Sequence, residues 1–134
     1  MIADLRLRIV KAGSDNADAL KKRTKQFGLR VIKLFRALPR KAEAEIIGKQ
    51  LLRSATSVGA NYRAACRARS RADFIAKLGI VLEEMDESAF WLELIVESGL
   101  LPARRMQPLQ QEASELTAIF VSSLRTAKGQ GAQV

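Results

Sequence analysis

Residues Lys49–Leu101 read KQLLRSATSVGANYRAACRARSRADFIAKLGIVLEEMDESAFWLELIVESGLL. The stretch is two helical patterns joined by a short basic hinge, Arg67-Ala-Arg-Ser-Arg71. In the second pattern Phe74, Leu78, Val81, Met85, Leu92 and Ile95 recur at alternating steps of four and three, with Ser88 in the one gap. That period places them on one stripe of a helix. Ser70 and Asp73 have the spacing of a capping box, with Asp in place of Glu, and mark the start. Gly99 is a left-handed terminator with Pro102 just beyond, and marks the end. No proline interrupts residues 41–101. Two helices joined by so few residues run antiparallel, side by side.

The rest of the chain extends this pair into an all-α, antiparallel, up-down-up-down four-helix bundle. The first helix is predicted to begin near 14–16, among residues that favour N-caps, and to stop at Pro39. Leu20, Thr24, Phe27, Val31, Leu34 and Leu38 form its stripe, and cations such as Lys21, Lys22, Arg23 and Lys25 cover the remainder. The second helix begins near Arg40 or Lys41. The fourth follows Pro102 and buries Met106, Leu109, Ala113, Leu116, Phe120 and Leu124 as far as Lys128. Pro108 either lies in its first turn or kinks it. Gly28, Gly48, Gly59 and Gly79 lie inside helices, where each costs about 1 kcal/mol relative to Ala, so close helix–helix approach is expected there.

The third helix is apolar around most of its girth. Beyond the main stripe it carries Ile75, Leu82, Ala89 and Val96, and on another side Ile80, Trp91 and Leu94. Such a helix is buried on more than one side. Ile80, Trp91 and Leu94 are therefore the candidate subunit interface, with Trp91 as its anchor. The competing reading keeps Trp91 in the core of one subunit.

The charge is uneven. The chain carries 23 Lys and Arg against 14 Asp and Glu. Residues 1–71 hold 18 basic against 5 acidic side chains, a net of +13, and residues 72–134 hold 5 against 9, a net of −4. A strongly basic first half suits an acidic partner such as RNA or DNA. Lys49, Arg53, Thr56, Ala60, Arg63 and Arg67 follow helical steps along the second helix, so its large side chains on that stripe are all cationic. With Arg69 and Arg71 of the hinge, Lys49, Arg53, Arg63 and Arg67 are the candidate nucleic-acid contacts, made to phosphates and without sequence readout. The alternatives are a solvated face, or pairing with the acidic third helix of a neighbouring subunit. Tyr62 is the single aromatic in this region and reads as half-buried packing, so a base-stacking platform is not supported.

Several function classes fall away. With no histidine the chain lacks the Glu-x-x-His pairs of di-iron bundles, so no metal and no cofactor is expected. No nucleophile comes with a recognisable base, and no glycine-rich loop follows a strand, so catalysis and a small-molecule substrate are not expected. The one cysteine, Cys66, excludes an internal disulfide. Beside Arg67 it reads as an activated thiol or, the favoured alternative, as a small packed residue. No apolar run reaches membrane-spanning length and residues 1–13 do not form a signal peptide, so a cytoplasmic protein is expected. Residues 1–13 read as an N-terminal arm, 14–128 as the bundle and 129–134 as a disordered tail.

The runs SATSVGANYRAACRARSRADFIAKLGI and WLELIVESGLL resemble the bacterial four-helix-bundle proteins encoded in intervening sequences of large-subunit ribosomal RNA genes, the 23S rRNA-intervening sequence protein family. The resemblance spans roughly residues 23–128. It implies an up-down bundle that assembles into a pentameric ring, similar in fold to the accessory proteins of diversity-generating retroelements, which bind nucleic acid and a reverse transcriptase. It carries over no catalytic residue. Residues and resemblance together support a homo-oligomeric nucleic-acid-binding accessory protein. An oligomeric protein–protein adaptor is the alternative.

Overall fold

The structure is a computed structural model and describes residues 17–129. The predicted arm (1–13) and all but the first residue of the predicted tail (129–134) lie outside the described residues. Four α-helices fill the described chain: α1 (Ala17–Ala37), α2 (Ala42–Ala65), α3 (Arg71–Glu97) and α4 (Ala103–Ala127). Each packs on its neighbour in sequence, and α1 touches α4 only lightly.

Direction follows from the pairings. A Cβ placed on Gly28, Gly48 or Gly59 would lie near Ala55 and Thr56, near Phe35 and Leu38, or near Thr24 respectively. Partner numbers on α2 fall as those on α1 rise, so the two run antiparallel. A Cβ on Gly59 would sit 3.5 Å from the Thr24 backbone, which is the close approach expected of these glycines. Gly79 differs: among the described residues, its own helix backbone apart, nothing lies within 4 Å of where its Cβ would stand, so packing against another described helix does not explain it.

The hinge is built from local hydrogen bonds. Cys66 caps α2, and the amides of Arg67 and Ala68 donate to the Ala64 and Ala65 carbonyls. Ser70 is the N-cap of α3, its Oγ accepting from the Asp73 amide at 3.0 Å. The Asp73 carboxylate accepts from the amide of Arg69, one residue before the expected reciprocal partner, at 3.2 Å. At the far end the Leu100 amide donates to Ile95 and the Gly99 amide to Val96, a Schellman closure with Gly99 at φ 75°. A left-handed conformation costs an L-residue roughly 1 kcal/mol, so Gly99→Ala is expected to lower stability by about 1 kcal/mol in urea unfolding. No change would mean the turn relaxes around the methyl group.

The stripes meet in one core. Leu20, Phe27, Val31, Leu51, Leu78, Met85, Leu92, Met106, Leu116 and Phe120 are fully buried. Tyr62 departs from its expected half-burial. It is fully buried, tilted against Phe120 with ring centroids 5.5 Å apart, because α4 supplies a facing aromatic that a reading of α2 alone cannot see. Ser88 fills its gap for a reason: its hydroxyl lies 2.9 Å from the buried Ser54 hydroxyl, a hydrogen bond that ties α3 to α2. Cys66 is buried, as a packed residue should be. Pro108 lies in the second turn of α4 rather than the first, on an exposed side.

Arg23 closes the bundle between α1 and α4. Its guanidinium donates to both carboxylate oxygens of Glu112, at 2.8 and 2.9 Å, and to Glu115 at 2.7 Å. Such a fork is the strongest geometry an ion pair adopts.

Candidate nucleic-acid interface

All six residues of the stripe, five on α2 and Arg67 in the turn just beyond it, are exposed, but their partners divide them. Lys49 pairs with Glu45 one turn earlier, at 2.9 Å. Arg53 reaches across to α3, donating to Glu84 at 3.2 Å and to Glu87. Arg53 thus pairs with the acidic third helix of its own chain. Glu87 also accepts from the Trp91 indole N–H at 3.1 Å. That bond, and then Arg53, hold the Glu87 carboxyl below its ordinary range, and Glu87 in turn raises Arg53.

Arg63 and Arg67 make no ion pair among the described residues, and both line a groove of about 460 Å³ between α1 and α2. Lys21, Lys22 and Lys25 of α1 line the same groove. Five cations thus stand there, Arg63 from α2, Arg67 from the turn just past its C-cap and three from α1, and among the described residues no acidic side chain lines it. Among the described residues only Lys21 of these five leans towards a carboxylate, that of Asp18 at 4.0 Å on its own helix. The floor is small or aliphatic: Gly28, Leu29, Ile32, Gly59 and Ala60. It is low because α1 and α2 approach each other over glycine. Arg63 and Arg67 also line a second, more open depression with Arg69, Asp73 and Lys77. There Lys77 pairs with Asp73 at 2.6 Å, and with the Arg69 amide it keeps that carboxyl below its ordinary range.

Arg71 has separate work. Its Nε donates to the Ala127 carbonyl at 2.7 Å, satisfying a backbone acceptor left over at the end of α4. Of the six residues singled out in the sequence, the structure therefore groups Arg63, Arg67 and Arg69. It engages Lys49, Arg53 and Arg71 within the chain. Lys21, Lys22 and Lys25 belong to the groove, although in the sequence they read only as the cover of α1. Their signal is the spacing of Lys21, Lys25 and the exposed Leu29 at successive steps of four, and it becomes meaningful only once α1 is set in register with α2.

On α3, Ile80 is 44% exposed and Phe90 49% exposed, while Trp91 and Leu94 are half-buried. Phe90 is absent from the interface expected from the sequence. It packs edge-on against Trp91, centroids 5.0 Å apart. Trp91 thus has one side on the core and one on an exposed aromatic. Among the described residues no three His, Cys, Asp or Glu gather as a metal site requires, and no helix is long and apolar enough to cross a membrane.

The chain matches the 23S rRNA-intervening sequence protein family over residues 18–122. It is similar to a crystal structure from Bacteroides thetaiotaomicron, a protein with unknown function from the S23 ribosomal protein family. The two are 33% identical with a TM-score of 0.76, over 81% of this chain and 97% of that one. No functionally curated protein matches.

Proposed function

We propose, for a chain that belongs to the 23S rRNA-intervening sequence protein family, a non-enzymatic role as a homo-oligomeric, cytoplasmic accessory protein that binds RNA or DNA through its phosphates. The observation that carries this reading is the groove in which Arg63 and Arg67 face Lys21, Lys22 and Lys25 with no acidic side chain among the described residues lining it. Cations held on α1, on α2 and in the turn that ends α2 release counterions from the phosphate chain that they neutralise. Assembly uses the α3 face that leaves Ile80 and Phe90 exposed beside Trp91 and Leu94, and the family resemblance suggests five subunits. The same exposed face supports the second reading, an adaptor that binds a protein partner.

Salt dependence tests the first reading. If about five phosphates are neutralised per site, affinity for a single strand falls roughly a hundredfold between about 50 and about 200 mM salt. Fluorescence anisotropy with a labelled mixed-sequence RNA measures it. Absence of binding at low salt, or binding indifferent to salt, contradicts the reading and favours the adaptor.

A further inference from the structure

We infer that the α1–α2 groove binds one single strand of nucleic acid, held by its phosphates from both walls with its sugars and base edges against the aliphatic floor, and that it discriminates against duplex. This rests on the nucleic-acid reading above and goes beyond it in naming the strand state and the floor residues.

Three features carry the inference. The first is width. Packed helices stand about 8–10 Å apart, and small residues at Gly28 and Gly59 keep α1 and α2 close. Cations on the two flanks are therefore spaced to grip a single backbone from both sides. A duplex carries its phosphates on a convex surface, which in A-form RNA flanks a wide, shallow minor groove, and rides on the rim. The second is the floor. Leu29 is 47% exposed inside a basic groove. A flexible single strand can turn riboses and unstacked bases onto Leu29 and Ile32, whereas a duplex keeps its bases stacked and leaves them uncovered. The third concerns readout. The neutral hydroxyls in the groove are already spent on their own helices: Thr24 donates to the Leu20 carbonyl at 2.8 Å and Thr56 to the Leu52 carbonyl at 2.7 Å. Among the described residues no aromatic side chain lines the groove. Recognition is then by charge and aliphatic contact, tolerant of sequence.

The test uses the full chain and a labelled mixed-sequence RNA of about twelve nucleotides, free and annealed to its complement. Anisotropy is read at low salt for the parent and for Leu29→Glu, Lys25→Glu and Ile46→Glu. Ile46 is exposed and does not line the groove, so it controls for an added negative charge elsewhere. The expected result is binding of the single strand at least about tenfold tighter than the duplex, lost by about tenfold or more in Leu29→Glu and Lys25→Glu and kept in Ile46→Glu. All three sites are exposed, and circular dichroism checks that each variant keeps its helices. Lys25→Glu stands in should Leu29→Glu unfold. Duplex bound as tightly as single strand overturns this inference and leaves the function standing. Equal losses at Leu29 and Ile46 overturn the groove as the site. Failure to bind either nucleic acid overturns both.

Discussion

Arg63→Glu combined with Arg67→Glu is expected to weaken RNA binding by at least about a hundredfold while leaving the bundle intact. The magnitude follows from two lost charge-assisted contacts at about 1.5–3 kcal/mol each, with repulsion from the new carboxylates added. The fold should survive because both side chains are exposed and neither holds an ion pair among the described residues. Arg53 supplies the contrast. Its guanidinium already serves Glu84 and Glu87, so Arg53→Gln should cost little RNA affinity. Anisotropy titrations of the three proteins decide the matter. Equal losses for Arg53→Gln and the double reversal would mean that the whole stripe, and not the groove, makes the contact. Dissociation of an oligomer by the double reversal would make this face an interface instead.

The largest effect on stability is expected at Phe120. Its ring is fully buried between α4 and α2, against the equally buried Tyr62. Removing a buried phenylalanine leaves a cavity and costs about 3–5 kcal/mol. Against a total of about 5–15 kcal/mol for a domain of ordinary stability, Phe120→Ala takes a large share. Urea unfolding should show the midpoint falling with little change in slope. A loss below about 1 kcal/mol would mean that α4 does not close over Tyr62 as described.

Local signals carry most of the fold. The start and stop of α3 are legible because Ser70, Asp73 and Gly99 act within a few residues of themselves. The buried stripes are legible because helical period reports burial directly, as at Leu20, Phe27 and Val31 or Met106 and Leu116. What stays hidden depends on contacts between distant segments. Tyr62 becomes a core residue through Phe120, 58 positions away. Arg71 becomes a cap through the Ala127 carbonyl. Arg23, which reads as surface, becomes the clasp to Glu112 and Glu115.

The candidate site divides in the same way. The stripe on α2 is visible as a period, and its exposure follows that period residue by residue. Which cations are engaged is not visible, because charge counting cannot tell an arginine facing Glu84 from one facing Gly59. The register of α1 on α2, fixed by glycine, brings Lys21, Lys22 and Lys25 opposite Arg63 and Arg67.

The measurement that tests the central claim most directly is light scattering after size exclusion, run with and without a short mixed-sequence RNA at low and high salt. The account predicts an oligomer that carries RNA at low salt and releases it at high salt without dissociating. An oligomer that ignores RNA at both salts, or a monomer under all conditions, would contradict it.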